Sequence, residues 1–317
     1  MAVPHKTKQY LLAIAKVLVL AITFGYIFYR LHINSQLDFA VFVSGIFSKG
    51  AIAGYFFLFF LFMATLNWYF EILKWKNLAS TLREMDFKTA LKQSLASLTV
   101  SLATPNRIGE YGAKAMFYPK RDRKKVMLLN LFSNSSQLAA TLLFGVAGIL
   151  YFLVNYNIPF SFGAMIFAVI VLIVVGFLCY LLRNKEVFLK GFSIANIFWF
   201  FQKLPNLLKL KICLFSIIRY MLFSFMFYGL LLFFGAEVSF LIAMSLIFAM
   251  YLLVSIVPTI FIFDVVVRGG VAVWLFSFVG LAELIILSTI LTMWIFNFVL
   301  PSILGSFFVL TFQPATR

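Results

Sequence analysis

The segment Thr104-Pro105-Asn106-Arg107-Ile108-Gly109-Glu110-Tyr111-Gly112-Ala113-Lys114 gathers two cations, a carboxylate and a helix-start signal inside an otherwise apolar chain. On a helix, Arg107, Glu110 and Lys114 stand at i, i+3 and i+7, which is one face. Thr104 is a capping residue type and Pro105 suits a first turn, so Arg107 is predicted in the first helical turn. The helix dipole disfavours a cation there. An anion near Arg107 and the free N–H groups reverses that penalty, which is the logic of phosphate binding at a helix N-terminus. Gly109 and Gly112 leave room for another helix or a headgroup to come close. The same residues admit a plainer reading, an internal Arg107–Glu110 pair that only stabilises a bend.

A second cluster, Asp264-Val265-Val266-Val267-Arg268-Gly269-Gly270, places acid before base at i, i+4, the favourable helical order. Pro258 breaks the preceding helix and Gly269-Gly270 loosens the following one. It is either a gate facing the first cluster or a self-neutralising pair at a helix end. A third pattern is the stripe Asn130, Asn134, Gln137 and Thr141, spaced by four, three and four. In lipid such stripes join helices through modest hydrogen bonds, or they line a headgroup path. Glu283, Thr292 and Asn297 are further polar candidates near the C-terminus. The two histidines, His5 and His32, lie away from all of these. The sequence has no Cys/His metal pattern, phosphate-binding P-loop or nucleophile elbow, so no cofactor or metal is expected.

The elements that must position these residues are set by composition. The chain is 64% hydrophobic and 11% charged, against roughly 25% charged residues in a soluble domain. An all-α, polytopic integral membrane protein is predicted, one domain over 1–317 with about six to eight helices. Ionisable clusters inside it are functional candidates, because burial in lipid is costly. The 42 phenylalanines suit lipid-facing surfaces. The net charge of +16 is one-sided. Basic residues crowd Lys6 and Lys8, then Lys74–Lys125, then Arg183–Lys211, while Tyr151–Met165 and Gly229–Leu253 have none. That is the positive-inside pattern, with an anionic membrane surface as partner rather than nucleic acid. Cys179 and Cys213 read as small buried hydrophobes.

Spans are expected at Tyr10–Leu31, Ala51–Leu73, Val126–Val154, Ala164–Leu182 and Ile212–Phe234. Tyr10–Leu31 reads as a retained first helix rather than a cleaved signal. Trp68 and Trp75 are placed at the inner interface, and Lys74 opens a cytoplasmic segment, 74–125, that dips into the membrane and returns. Arg219 is expected to snorkel to the inner surface. The stretch 183–211 reads as a cytoplasmic connection with an interfacial helix bearing Phe198, Trp199 and Phe200. Phe240–Leu281, containing a broken region at 254–282, is either a second re-entrant hairpin or a span followed by another. Both termini are expected inside.

The Pro105-Asn106-Arg107-Ile108-Gly109-Glu110 run with Lys114 resembles the signature of the lysylphosphatidylglycerol synthase transmembrane, or flippase-domain, family, roughly Pro-x-Arg-x-Gly-Glu with a following base. The second cluster resembles that family's later Pro- and Gly-rich element, although Arg268-Gly269-Gly270 departs from its Gly-x-Gly-x-x-Glu-like run. The resemblance implies re-entrant helices and movement of lipids between leaflets. The chain carries no aminoacyl-transferring domain within its 317 residues, so lipid aminoacylation is not expected. On this reading Asn106, Arg107, Glu110, Lys114, Asp264 and Arg268 hold the phosphate-bearing headgroup of a phospholipid or polyprenyl-phosphate-linked lipid. Asn130, Asn134, Gln137 and Glu283 line its path. The alternatives are a membrane-embedded glycosyl or phosphoglycosyl transferase on a polyprenyl carrier, and a non-catalytic scaffold.

Overall fold

The computed structural model describes Ser44 and residues 50–102, 104, 107–156, 193–257 and 261–312, with 51, 52 and 261–266 described for backbone only. Nine helices make up these residues: α1 (Ala51–Ala79), α2 (Phe87–Ser101), α3 (Gly109–Met116), α4 (Arg123–Asn155), α5 (Ile194–Lys203), α6 (Asn206–Phe233), α7 (Phe240–Ile256), α8 (Phe261–Ser277) and α9 (Glu283–Leu310). Four of them, Ala53–Ala79 within α1, α4, α6 and α9, are long and apolar enough to cross a membrane. The protein is a polytopic helical membrane protein. The predicted spans Tyr10–Leu31 and Ala164–Leu182 lie outside the described residues, as do Cys179, Pro258 and Asn106.

Local chemistry sets the helix ends. Asp86 caps α2, its carboxylate accepting the Thr89 N–H at 3.3 Å, and Ser193 caps α5 by accepting the Asn196 N–H at 3.2 Å. Helices α7 and α8 have 17 residues each, about 25 Å of helix, against a hydrocarbon core of roughly 30 Å. α9 carries a π-helical segment at Ile295–Val299 just before Pro301. Pro301 has no N–H for the carbonyl four residues back. That carbonyl, on Asn297, accepts the Trp68 indole N–H instead, at 3.0 Å.

Packing separates into two main apolar bodies. The larger joins Phe60 and Ala64 of α1 to Ala140 and Phe152 of α4 and to much of α6–α9. The smaller joins Trp75 and Leu78 of α1 to Leu129 of α4, Tyr118 and Ile212. Helix α4 meets α7 closely because Gly145 and Gly148 face Leu252 and the Ser245 backbone. Tyr55, Phe57, Leu58 and Phe62 of α1 are exposed, as lipid-facing side chains are.

Several expectations are corrected. Helix α1 continues to Ala79 rather than stopping at Leu73, because Lys74 is neutralised within the fold and need not reach water. Lys74 and Trp75 are both fully buried, not at a cytoplasmic surface or interface. A helix, α5, does form within the predicted connection. It has no buried residue, Phe198 and Trp199 are exposed, and the Lys203 ammonium sits 3.5 Å from the Trp199 ring centre. The predicted helix start at Thr104 is displaced to Gly109. Thr104 still caps, its hydroxyl accepting the Gly109 N–H at 2.8 Å.

Candidate functional site

Between the two apolar bodies lies a polar layer to which most of the helices contribute. On α1, Asn67, Glu71 and Lys74 are spaced by four and three residues, and all are buried. One face of α1 therefore carries an amide, a carboxylate and an ammonium in succession. Glu71 is held between two cations. Arg219 of α6 donates to it through Nη1, and the Lys74 ammonium lies 3.6 Å away. Arg219 also donates from Nη1 to Gln137 Oε1 at 3.1 Å. Its Nε reaches the Asn67 carbonyl and side-chain oxygens, both at 3.2 Å. Lys74 Nζ donates to the Ser133 carbonyl at 3.2 Å. Burial of these charges is tolerated because each has partners in place.

Glu110 forms a second, parallel arrangement on α3. Lys114 Nζ pairs with it at 2.8 Å and Arg107 Nη2 at 3.2 Å. Lys114 is 1% exposed. It also donates to Asn130 Oδ1 at 2.7 Å and sits 4.4 Å from the Trp75 ring centre. Trp75 in turn donates to Gln93 at 2.8 Å. Lys114 and Asn130 do not border the cavity that Arg107 and Glu110 line; they brace Glu110 from behind.

Arg107 precedes α3 instead of sitting in its first turn, with φ at +57°. The left-handed region costs a non-glycine residue about 1–2 kcal/mol, and such strain concentrates at functional positions. The turn is held by Thr104, whose hydroxyl donates to the Ser101 carbonyl at 2.9 Å while accepting from Gly109. Gly109 is needed here, since a Cβ would meet the Thr104 side chain at 2.8 Å. Gly112 faces open space and serves no close approach. The Arg107 side chain, 40% exposed, borders a cavity, with Phe298 beneath the guanidinium at 5.9 Å.

The cavity has a volume of about 480 Å³ and is walled by Glu71, Arg107, Glu110, Arg219, Tyr251 and Arg268 among others. Small-molecule sites fall in this size range. Of the predicted residues, Arg107, Glu110, Asn134, Gln137, Thr141, Arg268 and Asn297 border it. Asn134 donates to the Tyr111 hydroxyl at 3.0 Å, so the α4 stripe both joins helices and lines the space. Glu283 does not border it; that residue stands exposed at the start of α9. Thr292 is buried and turned onto its own helix, donating to the Ser288 carbonyl at 2.8 Å. The Asp264 side chain lies outside the described residues.

Eleven wall residues were not among the expected ones, Asn67, Trp68, Glu71, Arg219, Tyr220 and Tyr251 among them. Arg219 does not snorkel, because Glu71, Gln137 and Asn67 offer it more partners than the surface does. Glu71 and Lys74 carried a signal in their i, i+3 spacing on an apolar helix; the tyrosines carried none. Among the described residues, the layer sets four cations (Lys74, Arg107, Lys114 and Arg219) against the carboxylates of Glu71 and Glu110. Each carboxylate is shared by two cations, so among these groups two positive charges are in excess. Among the described residues no group of His, Cys, Asp and Glu could hold a metal. The chemistry on offer is recognition of an anion, with the planar, partly exposed guanidinium of Arg107 on the wall. Comparison of the chain with family models, with curated proteins and with solved structures returns no match.

Proposed function

We propose that this protein is a lipid translocase that passes acidic, phosphate-bearing headgroups between the leaflets of the cell's inner membrane, as the family resemblance of the Arg107–Lys114 segment implies. One observation carries the reading. A cavity of about 480 Å³ in a membrane protein is backed, among the described residues, by four cations, Lys74, Arg107, Lys114 and Arg219, against two carboxylates, Glu71 and Glu110. Excess buried charge is expensive in a bilayer protein unless a ligand offsets it, and phosphate is the anion that a lipid brings. Arg107 is the first contact, since its side chain borders the cavity and is 40% exposed. Arg219 and Arg268 lie deeper. Glu110 orients Arg107, while Lys114 and Lys74 add field without touching the ligand.

The remaining organisation follows the same reading. The basic segment 120–125 and α5 face the cytoplasm, and α5 rests on the anionic surface through Trp199 and Lys203. The short helices α7 and α8 form a second re-entrant hairpin that closes the cavity opposite Arg107.

The test is leaflet exchange in liposomes. Purified protein is reconstituted with a fluorescent acidic phospholipid and dithionite quenching is followed without nucleotide, sugar donor or metal. Exchange well above protein-free vesicles is expected, with loss of it in Arg107→Gln. A wild-type rate equal to that of empty vesicles would overturn the proposal. A covalent product formed only with a polyprenyl or sugar-nucleotide donor would establish a transferase instead.

A further inference from the structure

The cavity has a second, largely aromatic and aliphatic wall that phosphate binding leaves unused. Tyr220 of α6 and Tyr251 of α7 border it, 4% and 8% exposed. Their ring centres are 6.0 Å apart, edge to face. Among the described residues, neither hydroxyl has a hydrogen-bond partner. A buried polar atom without a partner is destabilising, and most such atoms in folded proteins are satisfied. Two on one wall of one cavity call for a ligand group. Their neighbours are the apolar side chains of Phe223, Val254 and Val257 and the exposed Ser255. Arg268 lies over the Tyr251 ring at 5.8 Å.

The two walls differ in chemistry. Around Arg107 and Arg219 the groups are donors that suit oxygen atoms with no hydrogens. A tyrosine hydroxyl both donates and accepts. Its best partner is a group that does the same, an alcohol. Aromatic and aliphatic surfaces beside it suit the C–H faces of a polyol. A bare phosphate would leave this wall unfilled.

We propose that the Tyr220–Tyr251 wall is a subsite for the hydroxyl-bearing part of the headgroup, so that the preferred substrate class is an acidic phosphodiester of a polyol. This rests on the anionic-headgroup reading above and narrows it. Phosphate is held at the Arg107 side, and the glycerol or cyclitol hydroxyls beyond it exchange hydrogen bonds with the two tyrosines.

The experiment measures binding to the full-length protein in detergent, using short-chain phosphatidate, phosphatidylglycerol and phosphatidylinositol. Wild type is expected to favour the two polyol lipids over phosphatidate. Tyr220→Phe and Tyr251→Phe should each weaken the polyol lipids about fivefold to tenfold, the value of one hydrogen bond, and leave phosphatidate within about twofold. These variants remove only an unpartnered hydroxyl, so melting temperature should hold or rise, and a folding failure does not confuse the result. Equal affinities for all three lipids in the variants and in wild type overturn the subsite while keeping the anion site, and mean that the hydroxyls hold ordered water only. No binding of any acidic lipid to wild type overturns both proposals, which separates the two failures.

Discussion

Removing Arg219 should cost this protein far more than removing a surface arginine. Its guanidinium donates to Glu71, Gln137 and Asn67. The side chain is 18% exposed and that of Glu71 is 11%. In Arg219→Gln, Glu71 keeps only Lys74, at 3.6 Å, for a carboxylate between two apolar cores. Deleting one partner of a buried pair costs about 3–5 kcal/mol; an arginine that merely snorkelled would cost at most about 1 kcal/mol. The two figures are far enough apart to decide. Glu71→Gln in the same background should recover much of the loss, because it removes the stranded charge. The double-mutant cycle should then show a coupling of about 2–3 kcal/mol. Reversible unfolding in mixed micelles, supported by melting temperatures, gives each corner of the cycle. A loss below about 1 kcal/mol for Arg219→Gln, or a coupling near zero, would refute the claim that this pair organises the layer.

Three further outcomes are expected. Gly148→Ala should destabilise by about 1–3 kcal/mol, since its Cβ would press on the Ser245 backbone. Gly112→Ala, with open space around it, should be neutral or gain up to about 1 kcal/mol; unfolding of the pair of variants checks both. Arg107→Gly should abolish leaflet exchange while changing stability by no more than about 1 kcal/mol, because glycine relieves the left-handed strain. A loss of about 3 kcal/mol or more would instead make Arg107–Glu110 a structural brace. Asp86 is held below its ordinary carboxylate range by its hydrogen bonding to Thr89. A folded-state pKa below the unfolded one stabilises above the unfolded value and is lost as pH falls through the folded value. Asp86→Ala should therefore lower the melting temperature at neutral pH, and the gap should close as pH drops below about 4.

The sequence read well where one residue's hydropathy speaks for its surroundings. The apolar runs predicted α4 to within three residues at each end and the C-terminal end of α6 to within one, but the basic residues run into the long helices, with Lys74 and Lys76 in α1, Arg123, Lys124 and Lys125 in α4, and Lys209 and Lys211 in α6. Reading failed where a charge was compensated by something distant in the chain. Lys74 and Arg219 looked like the places where helices meet water, because a charge ends an apolar run. Their partners, Glu71 with Ser133 and Gln137, come from spatial neighbours up to 148 positions away. The Arg107 cluster was recognisable from its one-face spacing. Its backbone was not, because the Thr104 hydroxyl caps Gly109, five residues on, rather than starting a helix at once. Tyr220 and Tyr251 are indistinguishable in sequence from the other core aromatics. Only the missing partners of their hydroxyls set them apart.

The polar layer also acts as a register key for the bundle. Apolar helices in lipid slide past one another with little change in buried area, so hydrophobicity alone does not choose their heights. Here α1 carries its charges between Phe60 on one side and Trp75 on the other, and α6 carries Arg219 between Ile212 and Phe227. A slip of one turn, about 5.4 Å, would set Glu71 against the level of Phe215 or Phe223 and strand both it and Arg219 among rings. Misassembled bundles would thus be penalised by several kcal/mol per stranded charge, and one arrangement of otherwise interchangeable greasy helices is selected. The residues that would receive a ligand are in this sense also the notches by which the helices find their places.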